Sequence, residues 1–143
     1  MEKVLSELKR DTKTNQKRLD ERNTEGLFYV TWDMFDSPDS PGSGYNFMER
    51  EPVIIFEEVV RRTGRKFKVE RAYISKTLAD KMGLPSNNSH RVGKAIQVRV
   101  VGTKKRIDVI KNLCLLGVTR IAVSRESIYF DTDGLKQDGF MLW

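Results

Sequence analysis

Few side chains in this sequence are of the types that carry out reactions, and that narrows the chemistry open to it. It has one histidine, His90, and one cysteine, Cys114. A lone cysteine rules out an intramolecular disulfide and a cysteine-built metal site. Cys114 follows Leu113 and precedes Leu115 and Leu116, a setting that suits a core thiol. With no second imidazole to activate it, a nucleophilic role is disfavoured. Asp36 and Asp39 make a carboxylate pair, but beside Ser and Pro they read as turn formers that bond nearby backbone amides. His90 lies in Ser89-His90-Arg91-Val92-Gly93 and reads as a loop side chain that caps or hydrogen-bonds a neighbour, with metal ligation the less favoured alternative.

The length of 143 residues holds one globular domain around one core. A composition of 38% hydrophobic and 32% charged residues fits a soluble globular chain and excludes collagen-like, low-complexity and disulfide-scaffold classes. The longest apolar runs, Val53-Ile54-Ile55-Phe56 and Leu113-Cys114-Leu115-Leu116, are far too short to span a membrane, and Met1-Glu2-Lys3 opens no signal peptide. The expectation is no membrane partner, with synthesis in the cytoplasm. A formal charge of +6, from 26 basic against 20 acidic residues, can draw nucleic acid non-specifically through long-range electrostatics. Because the two signs are interspersed, the surface reads as solvated and mildly basic rather than as a dedicated nucleic-acid site.

Several elements must position these groups. Residues 1 to 25 are rich in helix formers and carry seven basic and six acidic side chains but few large apolar ones. They read as a polar, helical N-terminal arm, which is either a frayed terminus or a docking segment with Val4, Leu5 and Leu8 as its partner-binding residues. Leu27 to Trp32 reads as a short strand, and Ser37 to Gly44 as an ordered loop. Pro52, the stripe Val53, Ile54, Phe56, Val59 and Val60, and Gly64 predict a helix over 51–63. A strand around Phe67 and Val69 follows, then a helix capped by Ser75 and running through Met82. After a loop over 83–92, Ile96, Val98 and Val100 alternate as a strand. Thr103 then caps a helix that turns Ile107, Ile110, Leu113 and Cys114 inward, with Gly117 past its end. Two strands near 119–124 and 127–132 close an α+β domain over 26–143, with a small, mostly antiparallel sheet and packed helices.

Four stretches in this order carry a resemblance. Phe35-Asp36-Ser37-Pro38-Asp39-Ser40-Pro41-Gly42-Ser43-Gly44 is similar to an "FDSPDxPGSG" opening, and Ser89-His90-Arg91-Val92-Gly93-Lys94-Ala95 matches "SHxxGxA". Leu116-Gly117-Val118-Thr119-Arg120-Ile121 and Ile128-Tyr129-Phe130-Asp131 stand where "GFxRIGI" and "IHVD" are expected. From about Phe28 to Trp143 the chain resembles the zinc-dependent D-Ala-D-Ala carboxypeptidase family, in the small phage-type branch that shares the hedgehog/DD-peptidase fold. The resemblance implies a site with two His and one Asp on zinc, a carboxylate base and a substrate-binding Arg. Zinc activates water only where three protein ligands hold it and leave a fourth position open.

Here His90 stands at the first His position, Gln97 at the Asp ligand, Tyr129 at the second His and Ile74 at the substrate Arg, while Asp131 and Asp133 remain close by. The resemblance therefore implies a degenerate member, a pseudoenzyme with no cofactor, no catalytic residue and only vestigial site positions at His90, Gln97, Tyr129 and Asp131. The leading expectation is a structural component of a bacteriophage particle, located in the virion and attached to capsid, portal or tail proteins through its arm. The alternative is a peptidoglycan-binding module that keeps the old groove, and the third is an active hydrolase with an altered site of His90, Asp131 and Asp133.

Overall fold

The computed structural model describes residues 23–143. The arm falls almost wholly outside that span, and Val4, Leu5 and Leu8 lie outside it. The described chain is a small α+β fold with a five-stranded mixed sheet and four α-helices. A 3-10 turn, Trp32–Phe35, leads to α1 (Ser43–Phe47) and α2 (Arg50–Thr63), then β1 (Lys68–Arg71) and α3 (Lys76–Lys81). β2 (Ala95–Arg99), α4 (Thr103–Leu115), β3 (Arg120–Val123), β4 (Ser127–Asp131) and β5 (Gly139–Leu142) complete it. The strand order is β1-β2-β4-β3-β5, antiparallel except where β5 runs parallel to β3. No described helix is long and apolar enough to cross a membrane.

Alternation along the strands divides the sheet into two faces. Ile96, Val98, Ile121, Val123, Ile128 and Phe130 are buried beneath α2 and α4, which supply Val53, Phe56, Val59, Val60, Val109 and Leu113. Phe35 meets Phe56 edge-to-face with ring centroids 5.9 Å apart. The opposite face is polar and carries Arg71, Gln97, Tyr129, Asp131 and Arg120 in register.

Helix α2 follows its sequence signals: Pro52 sits in the first turn, and Gly64 closes the helix at φ 65° with its amide bonded to the Val60 carbonyl. Ile54, expected in the buried stripe, is instead exposed. Ser75 caps α3 by accepting from the Leu78 amide at 3.2 Å.

Besides Ile54, five readings need correction. The loop expected over Ser37 to Gly44 ends early, because Ser43 and Gly44 already form the first turn of α1, a helix not expected from the sequence. Leu27 to Trp32 is no strand, because the Glu57 carboxylate, buried in α2, takes the amides of Phe28 and Tyr29 at 2.6 and 2.7 Å and bends the segment across that helix. Helix α4 turns Val109 and Leu113 inward, so Ile107 and Cys114 face outward and Cys114 is an exposed thiol, not a core one. The cap of α4 is Gly102, whose lack of a side chain leaves the helix start without a side-chain cap, and Thr103 is already helical. Strand β5, not expected from the sequence, adds the parallel pair that makes the sheet mixed.

Candidate functional site

Residues 36 to 44 are folded by their own side chains. Asp36 accepts from the amides of Gly42 at 3.0 Å and Gly44 at 2.7 Å, as a turn-forming aspartate should. Asp39 does otherwise. It accepts from the hydroxyls of Ser37 at 2.5 Å and Ser75 at 2.6 Å, and these hold its carboxyl below the usual range. The loop is thereby tied to the start of α3, since Ser37 Oγ also accepts from the Ser75 amide at 3.0 Å. Neither carboxylate is placed to work as an acid or base.

His90 is 4% exposed, and its Nδ1 donates to the Ala72 carbonyl at 2.7 Å. Its own carbonyl accepts from the Ile74 amide at 3.2 Å, so residues 72 to 74 hold the histidine from both backbone and ring. Burial pushes the imidazole pKa down to about 4, against the opposing pull of the Ala72 carbonyl. Ile74 itself is buried and offers no donor to a ligand.

Gln97 and Tyr129 are direct cross-strand partners on β2 and β4, and the Tyr129 ring meets His90 edge-on with centroids 5.4 Å apart. The three positions singled out on the sequence therefore converge on the polar face. The Tyr129 hydroxyl donates to Asp131 Oδ2 at 2.5 Å, while Asp131 Oδ1 receives Arg120 Nε at 2.7 Å and the Asp133 amide at 3.1 Å. Burial and then the Asp131 carboxylate push the Tyr129 hydroxyl pKa upward, so it stays protonated. Asp133 belongs to a second cluster. It accepts from Ser89 Oγ at 2.9 Å and lies 3.6 Å from Lys136 Nζ. Burial works against its charge, but the Ser89 hydroxyl, the Leu135 amide and Lys136 outweigh it and keep the carboxyl below its ordinary pKa.

This donor set does not fit zinc. The Gln97 amide is neutral, the Tyr129 proton is committed to Asp131, and among the described residues no three His, Cys, Asp or Glu gather to hold a metal ion. The arrangement is a polar network in which Tyr129, Asp131, Arg120 and the Asp133 amide are bonded to one another. No protein-family model matches the chain, and no curated protein matches it.

Two results follow for this network. Asp131 is 1% exposed and bonded to Arg120 and Tyr129, so Asp131→Asn removes the buried charge that faces the Arg120 guanidinium, leaving it its bond to the Gln137 carbonyl, and should destabilise the protein by about 2 kcal/mol. Urea unfolding at neutral pH measures this, and an unchanged midpoint would mean that the ion pair carries no weight.

The second concerns pH. Unfolded, His90 takes up a proton near its ordinary 6.5; folded, it resists until about 4. Above 6.5 both states are neutral and stability is at its full value. As pH falls from 6.5 towards 4 only the unfolded chain gains the proton, and stability drops by roughly 3 kcal/mol before levelling off. His90→Gln should lose this part of the slope. Denaturation across the window, wild type against variant, isolates it from the carboxylates they share, and parallel slopes would contradict a buried neutral imidazole.

Proposed function

We propose that this protein is a non-catalytic relative of the zinc D-Ala-D-Ala carboxypeptidases, with a degenerate hedgehog/DD-peptidase-type domain, and that it serves as a structural component of a bacteriophage particle. The observation that carries the non-catalytic reading is the closure of the polar face. Where the resemblance implies a zinc ligand, Tyr129 stands with its hydroxyl bonded to Asp131, beside a neutral Gln97. A fold outlives its chemistry when its remaining value is as a scaffold or binding surface. The glycines of the resembling motifs support the same reading, because they have packing work to do without any reaction. A Cβ on Gly44 would stand 2.3 Å from the Trp32 carbonyl oxygen, and one on Gly93 2.2 Å from that of Phe47.

The placement in a phage particle rests on the resemblance to the phage-type branch. Sedimentation of the native protein from its source lysate tests it, with mass spectrometry of the fast fraction. Fixed stoichiometry with capsid, portal or tail proteins is the expected result, and recovery only as a free small protein would overturn the structural role. Retention on purified sacculi above a control of equal charge would instead favour a peptidoglycan-binding module.

A further inference from the structure

Cations that the sequence scatters between residues 65 and 105 gather at one end of the sheet. Arg65, Lys66 and Lys68 lead into and open β1, Arg99 ends β2, and Lys105 stands in the first turn of α4. Together they line an open cleft of about 530 Å³. Two carboxylates answer them: Asp108, 3.8 Å from Arg65, and Glu126, 2.9 Å from Arg99. Lys66, Lys68 and Lys105 are exposed and take part in none of the ion pairs among the described residues.

Two local arrangements make this more than an uneven surface. Lys68 is the direct cross-strand partner of Arg99, and like charges in that position repel. Helix α4 begins with no side-chain cap and no acidic residue in its first turn, and Lys104 and Lys105 stand there instead, at the positive end of the helix dipole. Both cost stability in the free protein, and both become favourable when anionic groups lie in the cleft.

We propose that this cleft binds the phosphate backbone of duplex nucleic acid without reading its sequence. Phosphates are favoured over an acidic protein because the cleft is dominated by charge. Phe67 and Val100, beneath the cations, are buried, and the one exposed apolar lining residue, Val101, is small and stands alone, whereas protein interfaces centre on clustered aromatic or large apolar groups seated in pockets. No exposed aromatic lines the cleft to stack unpaired bases, which favours duplex over single strands. Lysine contacts to phosphate fix position and supply affinity but carry no sequence information. The proposal does not depend on the pseudoenzyme reading.

Fluorescence anisotropy of the full chain with a short labelled DNA duplex of random sequence, across a salt series, tests it. The triple variant Lys66→Gln/Lys68→Gln/Lys105→Gln should bind about tenfold or more weakly, and its log–log salt slope should flatten by about 2 to 3. A control losing the same charge elsewhere, Lys76→Gln/Lys81→Gln/Lys111→Gln, should stay within about twofold of wild type if the contacts are local. All six lysines are exposed, so folding is not at stake. Equal loss in both triples, or no binding by wild type at low salt, would overturn the proposal. So would displacement of the duplex by charge-matched polyglutamate as readily as by unlabelled duplex, which would make the occupant an acidic protein.

Discussion

Saturable, stoichiometric zinc binding is the expected gain when Gln97→Asp and Tyr129→His are combined, with wild type showing none under the same conditions. The two positions are cross-strand partners, and the ring at 129 already stands against His90. Side chains so paired are neighbours on one face, within reach of a common ion. His90 is already oriented. Its Nδ1 proton is committed to the Ala72 carbonyl, the kind of hydrogen bond that fixes the ring in zinc sites, and the Ala95 backbone also lies against the imidazole. The variant would present two imidazoles and a carboxylate, three ligands suited to tetrahedral zinc with one position open, and a dissociation constant of about a micromolar or tighter is expected. Losing the Tyr129 hydroxyl removes its bond to Asp131 and costs about 1 kcal/mol, which the fold can tolerate. Competition against a chromophoric chelator, with circular dichroism to establish folding, makes the measurement. A folded double variant that takes up no zinc would mean that these positions are not a ligand set, and the proposed kinship would lose its chief support.

Signals confined to one segment were legible in the sequence. The stripe and end residues of α2, the Ser75 cap of α3 and the alternation of β2 each depend on residues within a turn or two, and all three elements form where expected. What the sequence hid is what distant residues decide. Leu27 to Trp32 has a strand-like pattern, yet a carboxylate 29 residues from Phe28 takes its amide. Strand β5 is short, exposed along its whole length and paired in parallel with β3, so neither alternation nor a hairpin turn marks it. In α4 the apolar residues outnumber the buried positions, so periodicity alone could not exclude Ile107 and Cys114 from the core. The site shows the same division. His90, Gln97 and Tyr129 could be marked on the sequence through the resemblance, but the bond of Tyr129 to Asp131 and the partnership of Asp131 with Arg120 needed the strand register. The cationic cleft was invisible because its five cations come from three segments in which acidic residues are interspersed.

Gly93→Ala should be the most damaging small substitution in the domain, at about 4 kcal/mol. The residue has φ 72°, where an added Cβ alone costs about 1 kcal/mol. That Cβ would also stand 2.2 Å from the Phe47 carbonyl oxygen and 2.9 Å from the Met48 Cα, both backbone atoms that no rotamer change can move aside. Separating the two segments would further strain the bond from the Glu49 amide to the Gly93 carbonyl, now 2.9 Å. Gly64→Ala supplies the comparison, since Gly64 has φ 65° but open space around it, and should cost about 1 kcal/mol. The difference between the variants in urea unfolding measures the close approach itself, and equal losses would refute it. The consequence reaches the site, because Gly93 anchors the loop that carries His90: the Gly93 amide donates to the His90 carbonyl at 3.4 Å. Loosening that anchor admits water to the imidazole, so in whatever fraction of Gly93→Ala folds, the His90 titration followed by NMR should move from about 4 back towards 6.5. The close backbone approach at Gly93 would thus be what keeps the histidine buried and neutral.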